Sequence, residues 1–219
     1  MPTDRNITLD IKLTAKQREI DKSPARFKVV KAGRRGGKTK YMAYWLGKRA
    51  LTEEGKHWYV CQNLGLIRDE MWPHLNEILA DYIVWKDNRL FRMEVSNGDF
   101  NSIINCQSAQ QENALRGRGL KSLALDEASF VRPRLWDEVI RPMLADHQAP
   151  ALICSSAKKG WFPNRFSYAE KSGAEIRHNA RIATCAPSTV VVAHYPEVPL
   201  TYEALCPGFR ALLAPDLGI

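Results

Sequence analysis

The chain has 219 residues, 45% hydrophobic and 26% charged, which is the balance of a globular protein long enough to bury one full core. No apolar run approaches the roughly 20 residues that span a bilayer, and no apolar segment of a signal peptide follows the N-terminus, so membrane and secreted classes are disfavoured. A net charge of +8 favours a polyanionic partner, with a basic protein that has no nucleic-acid role as the alternative.

The predicted elements alternate. Thr14 to Gln17 reads as a capping box that opens a short helix through Ile20. Phe27 to Lys31 is a strand, and a helix follows from about Tyr41 to Thr52. His57 to Cys61 is a short apolar strand. Leu66 to Tyr82 has helical spacing, with Pro73 kinking or splitting it. Arg89 to Val95 and Phe100 to Cys106 flank Asn97-Gly98, a hairpin signal. Leu123 to Leu125 reads as a buried strand, Leu135 to Ala145 as a helix, Ala151 to Cys154 as a second buried strand and Phe162 to Lys171 as a helix. Strands alternating with helices imply an α/β fold, a mostly parallel sheet with helices on both faces.

Beyond about Ala174 the pattern changes. Five of the twelve prolines (Pro187, Pro196, Pro199, Pro207, Pro215) fall there, and periodicity is absent apart from Val190 to Val192. The expected organisation is therefore a domain over 1–174 and an irregular Pro-rich tail over 175–219. The tail holds three basic and four acidic residues, so the whole positive excess lies before it. Cys61, Cys106, Cys154, Cys185 and Cys206 are scattered and odd in number, which points to reduced thiols in a cytoplasmic compartment. The dispersed Trp45, Trp58, Trp72, Trp85, Trp136 and Trp161 are expected to pack in the core rather than to stack on bases.

Between the first strand and its helix lies Ala32-Gly33-Arg34-Arg35-Gly36-Gly37-Lys38-Thr39. Strand, glycine-rich turn ending in Gly-Lys-Thr, then helix is the context of a phosphate-binding loop, with Ala32 replacing the usual first glycine. Glycines let backbone N–H groups crowd around phosphate oxygens, and the helix N-terminus adds the positive end of its dipole. Gly33, Arg34, Gly36, Gly37, Lys38 and Thr39 are therefore candidate ATP contacts, Lys38 toward the β- and γ-phosphates and the Thr39 hydroxyl toward Mg²⁺. A basic glycine turn that merely closes a strand is the alternative.

Ser122 to Leu125 is an apolar strand that ends in Asp126-Glu127. Asp126 is the candidate Mg²⁺ carboxylate and Glu127 the candidate general base for the attacking water. A solvated strand end is the plainer reading of two such acids. Ile153-Cys154 runs into Ser155-Ser156, hydroxyls placed to sense a γ-phosphate or simply to turn the chain. Charge developing on the transferred phosphoryl group calls for an arginine. Arg34 and Arg35 lie in the loop. Arg116 and Arg118 lie in a glycine-rich turn before the acidic strand, and Arg35 and Arg116 lead as candidates. Phosphate-backbone contacts to DNA suit such turns equally well.

Three pieces together resemble the large, motor subunit of tailed-phage terminases. They are Leu13-Thr14-Ala15-Lys16-Gln17 with Lys31 to Thr39, Leu115-Arg116-Gly117-Arg118-Gly119 leading to Leu125-Asp126-Glu127-Ala128, and Ser155-Ser156-Ala157-Lys158-Lys159-Gly160. The resemblance covers roughly residues 13–172. It implies a RecA-like ASCE P-loop ATPase that drives double-stranded DNA into a procapsid in the bacterial host cytoplasm. A homo-oligomeric ring, a portal protein and a small terminase subunit would be its partners. It also implies an adenine-reading role for Gln17, whose position equally fits a capping residue of the first helix. Relatives usually carry a C-terminal nuclease domain, and the tail holds only Glu175, Glu197, Glu203 and Asp216. No nuclease activity is therefore expected of this chain, and a truncated or frame-shifted gene, or a separately encoded nuclease, is the accompanying expectation. Other readings are a helicase-like ATPase, a small-molecule kinase and an inactive prophage remnant.

Overall fold

The computed structural model describes residues 7–33, 36–111, 115 and 119–156. Their elements run α1 (Ala15–Lys22), β1 (Phe27–Lys31), α2 (Lys38–Thr52), β2 (Lys56–Cys61), α3 (Leu64–Leu66), α4 (Trp72–Ile78), β3 (Ile83–Asp87), β4 (Arg92–Ser96), β5 (Asn101–Ser108), β6 (Ser122–Leu125), α5 (Arg141–Ala145) and β7 (Ala151–Ser155). The strands form one sheet in the order β1-β7-β6-β2-β5-β4-β3. The pairings β1–β7, β7–β6, β6–β2 and β2–β5 are parallel, while β5–β4 and β4–β3 are antiparallel. The mostly parallel sheet expected from the sequence is present, with an antiparallel margin.

The central strands are apolar on both faces because both are covered. Their alternation assigns the faces. Val30, Tyr59, Cys61, Ala124, Leu152 and Cys154 join the cluster under α1, α2 and α4. Phe27, Val29, Trp58, Val60, Leu123, Leu125, Ala151 and Ile153 join the opposite cluster under Leu135, Trp136, Val139, Ile140 and Leu144. Phe27 meets Trp136 edge-on at 5.7 Å between ring centroids. Each large side chain so buried contributes roughly 1.5–3 kcal/mol of transfer free energy. Gly47 sits inside α2 because a Cβ there would lie 2.9 Å from Leu79 Cδ2, a distance only a glycine avoids.

Two prolines share one device. A wide π-turn over Ile67–Met71 precedes α4, and Pro73 occupies the first turn of that helix. A second π-turn over Leu135–Ile140 precedes α5, with Pro142 placed likewise. A proline ring clashes with the carbonyl four residues back in a regular helix, so a widened turn just before it accommodates both. Pro73 thus splits the helical stretch expected over 66–82. The hairpin around Asn97-Gly98 is present with a four-residue loop, because Asn97 Oδ1 accepts from the Asp99 and Phe100 N–H groups.

Strand β3 is absent from the sequence reading, and it carries a correction. Trp85 on this edge strand is 49% exposed, against the expected core packing. Trp45, Trp58, Trp72 and Trp136 are buried as expected, and Trp161 lies outside the described residues. Cys61, Cys106 and Cys154 are buried free thiols. Burial pushes all three thiols up, Cys61 to about 12, which makes them inert. Among the described residues no helix is long and apolar enough to cross a membrane. The helix expected at 162–171 and the tail over 175–219 lie outside them.

Candidate functional site

Three adjacent strands, β1, β7 and β6, end at one edge of the sheet, and each delivers a predicted motif there. The loop after β1 is tied to β7 by the Ala32 N–H, which donates to the Ser155 carbonyl at 3.1 Å. The Gly36 N–H closes the loop on the Gly33 carbonyl at 3.3 Å. Gly37 stands at the N-terminus of α2 with φ of 70°, a left-handed conformation that other residues adopt only under strain, and no side chain caps the helix there. An uncapped helix start behind a glycine turn presents backbone donors to an anion. Lys38 is largely buried, and its Nζ donates to the carbonyls of Ala32 at 3.2 Å and Gly33 at 3.4 Å.

The acidic pair behaves as two different groups. Asp126 is 6% exposed at the end of β6, and burial pushes its carboxyl above the usual range. Opposing that, Tyr59 OH donates to Oδ2 at 2.9 Å and the Glu127 N–H to Oδ1 at 2.8 Å. Glu127 itself has φ of 45°, a left-handed backbone that is uncommon outside glycine and tolerated mainly where the surroundings enforce it. That turn aims its carboxylate back over the loop. Oε1 lies 3.8 Å from Lys38 Nζ, and Oε2 accepts from the Ser156 hydroxyl at 3.0 Å and the Ser156 N–H at 3.4 Å.

The two serines diverge. Ser155 is fully buried, and its hydroxyl donates to Ser129 Oγ at 2.8 Å and accepts from the Ser129 N–H at 3.0 Å. Ser156 carries its hydroxyl to Glu127. Of the two predicted contacts, Ser156 is the one in touch with the acidic pair, while Ser155 braces the turn that follows β6.

Gln17 holds its predicted place in the capping box. Its Oε1 accepts from the Thr14 N–H at 2.9 Å, its own N–H donates to Thr14 Oγ1 at 3.2 Å, and Nε2 reaches across to the Gly37 carbonyl at 3.2 Å. It therefore clamps α1 onto the phosphate loop. Glu70 was not singled out by the sequence reading. The Thr39 hydroxyl donates to Glu70 Oε2 at 3.4 Å, across 31 residues of chain. Only the helical spacing of 66–82, which sets Glu70 on a polar face, hinted at it. Arg34, Arg35, Arg116 and Arg118 lie outside the described residues.

The Thr39 hydroxyl and the Glu70 carboxylate meet at the start of α2, Asp126 directly follows β6, and oxygen groups of this kind suit a hard divalent cation such as Mg²⁺. Among the described residues no group of three or more His, Cys, Asp or Glu is placed to hold a metal ion.

Residues 29–161 match the family described as "Terminase large subunit, T4likevirus-type, N-terminal". The chain belongs to this family. It carries the N-terminal domain of a terminase large subunit. Among solved structures it is similar to the Thermus phage P74-26 large terminase ATPase domain, with 23% identity over 72% of this chain and 70% of that one and a TM-score of 0.66. It is also similar to the large terminase of bacteriophage HK97, with 15% identity over 80% of this chain and 42% of that one and a TM-score of 0.58. The large terminase of a thermophilic bacteriophage in complex with ADP matches at 14% identity over 65% of this chain and 39% of that one, with a TM-score of 0.51. A search of curated proteins finds no match. The terminase domain thus has the RecA-like fold expected of it, and β7 is the additional strand between the strand of the phosphate loop and the strand of the acidic pair.

Proposed function

We propose that this terminase domain hydrolyses ATP at the shared end of β1, β7 and β6, and that hydrolysis drives double-stranded DNA translocation. The observation that carries the reading is the position of Glu127, 3.8 Å from Lys38 and 3.0 Å from the Ser156 hydroxyl. One carboxylate thereby touches the products of all three strands. The backbone of Gly33, Gly36 and Gly37 cradles the phosphates and Lys38 pairs with the β- and γ-oxygens. Thr39 and Asp126 hold Mg²⁺, which supplies charge neutralisation at the phosphates. Glu127 orients the attacking water and takes its proton. Ser156 releases Glu127 when the γ-phosphate arrives, and Ser155 passes the change to the turn at Ser129. Gln17 positions the loop and faces the adenine side of the site. Arg35 or Arg116 stabilises the charge on the transferred group.

Within the same proposal, residues 1–174 form the ATPase domain, and the working assembly is a homo-oligomeric ring on a portal protein, supplied with DNA by a small subunit in the host cytoplasm. The chain spans 39–42% of the full-length large terminases it resembles, so packaging is the work of the assembled machine. Steady-state ATPase of the full chain, with and without duplex DNA, tests the reading. Turnover that rises with DNA and vanishes in Lys38→Ala is expected. Turnover retained in that variant, or dependent on a small acceptor instead of DNA, overturns it.

A further inference from the structure

At the opposite end of the same sheet, where β1 and β7 begin, lies a cavity of about 580 Å³. Among the described residues its walls carry Arg26, Lys28, Lys48 and Arg49 against one carboxylate, Asp21. A volume of that order is that of a ligand site. Strand β1 is five residues long, so the cavity lies about 15 Å from the phosphate loop and is separate from it.

Two groups in this cavity have donors without protein partners. Lys28 is 7% exposed, on the α2 face of a strand that also holds Phe27, Val29, Val30 and Lys31. An ammonium has three N–H bonds, and Lys28 Nζ gives one to the Asp21 carbonyl at 3.1 Å. Burial lowers its pKa, the Asp21 carboxylate opposes that, and the neighbouring Lys48 and Arg49 charges lower it further. Asp21 itself is held by Lys48 at 2.8 Å. The second group is Arg49. Its terminal nitrogen pairs with Glu53, yet its Nε is buried with no hydrogen-bond partner. Cations packed together around a cavity, with two of them short of acceptors, are stabilised by an anion that brings several oxygens. A helix end that merely wanted cations near its carbonyls is served by Lys48 and Arg49 and gives no reason for a buried Lys28.

We propose that this cavity is a second anion site of the terminase domain, which takes a phosphate group through Lys28 and Arg49. The phosphate belongs to the DNA backbone or to a free polyphosphate, and only the DNA source rests on the packaging reading above. The test uses the full chain saturated with ADP, so that the phosphate loop is filled. Pyrophosphate is titrated calorimetrically, and a short labelled duplex by anisotropy over a range of salt. Lys28→Met is expected to weaken pyrophosphate about tenfold, the loss of one charge-assisted hydrogen bond. It is also expected to leave the melting temperature unchanged or raised, since a buried charge without a carboxylate of its own is removed. Arg49→Gln, which reads the same site if Lys28→Met fails to fold, gives the same loss. Duplex affinity that falls in parallel, with a salt slope shallower by about one, assigns the site to the DNA backbone. Pyrophosphate weakened with the duplex unaffected assigns it to a free anion. Wild-type pyrophosphate affinity in both variants, or no pyrophosphate binding by the ADP-loaded wild type, overturns the site whatever the fate of Lys38→Ala.

Discussion

The two ends of the central strands treat buried polar groups in opposite ways. Where β2 and β6 begin, His57 is fully buried, and both ring nitrogens are matched, Nδ1 to Ser122 Oγ at 2.8 Å and Nε2 to the Glu53 carbonyl at 2.9 Å. Ser102 is likewise closed between the Glu53 carbonyl and the Gly55 N–H, both at 3.1 Å. Where β1, β7 and β6 end, Asp126 and Ser155 are held just as closely, but the contacts around Lys38, Thr39 and Glu127 include long ones: Lys38 to Glu127 at 3.8 Å, Thr39 to Glu70 at 3.4 Å, the Ser156 N–H to Glu127 at 3.4 Å. Short, saturated hydrogen bonds serve the fold, because an unpaired buried group destabilises it by about 1–3 kcal/mol. Loose ones, around a carboxylate in a left-handed turn, suit groups that exchange protein partners for a ligand. Lys28 and the Arg49 Nε are exceptions at the first end, and that mismatch is what singles out their cavity.

The sharpest way to break the contrast is at Glu127. Glu127→Gln keeps the size of the side chain and an oxygen for Ser156 but removes the base. Turnover is expected to fall about 10²- to 10⁴-fold while nucleotide binding survives. Single-turnover hydrolysis beside equilibrium binding of a nucleotide analogue separates the two. Normal hydrolysis would reduce Glu127 to a strand-end acid and its strained backbone to a local accident.

Asp126 tests whether the loose end is also the less stable one. In Asp126→Asn a buried charge is removed and one of the two hydrogen bonds, from Tyr59 or from the Glu127 N–H, loses its acceptor. The two changes are opposite in sign and each of order 1–3 kcal/mol, so the melting temperature is expected to shift by only a few degrees. Mg²⁺-dependent turnover is expected to disappear. A variant that unfolds outright would make Asp126 a keystone of the core instead of a cation ligand.

The sequence made the loose end legible and the edge of the sheet illegible, for one physical reason. A glycine turn entering a helix, an apolar strand ending in acids and a helix cap each demand particular residues at fixed spacing, so Gly37-Lys38-Thr39, Asp126-Glu127 and the Thr14–Gln17 capping box can be read locally. Strand β3 makes no such demand. Val84 and Trp85 are 58% and 49% exposed, so no alternation of buried and exposed residues marks the strand, and the helical pattern before it obscures its start. Glu70 was hidden because its partner is 31 residues away, and the strand order because no local signal encodes it. The split between Ser155 and Ser156 was within reach. Ser155 continues the parity of Ala151 and Ile153 along β7 and so faces the cluster that holds Ala128, next to Ser129.

The smallest expected effect lies at the sealed end and is read by pH. Burial lowers the His57 pKa from 6.5 to about 4, so the folded protein keeps this imidazole neutral where the unfolded chain would protonate it. Between those values the unfolded state binds more protons, and stability therefore rises with pH. The His57 contribution is complete above pH 6.5 and is lost as the pH falls toward 4, with an upper bound of about 3 kcal/mol. Urea unfolding at pH 7 and pH 5 measures it. Wild type is expected to lose stability between them, while His57→Gln starts less stable and changes less. The end that carries the glycine-rich loop should not register the substitution, because His57 bonds Ser122 and the Glu53 carbonyl where β2 and β6 begin. Equal pH slopes for the two proteins would mean that His57 already carries its proton in the fold, and that the closed edge is not what distinguishes the two ends.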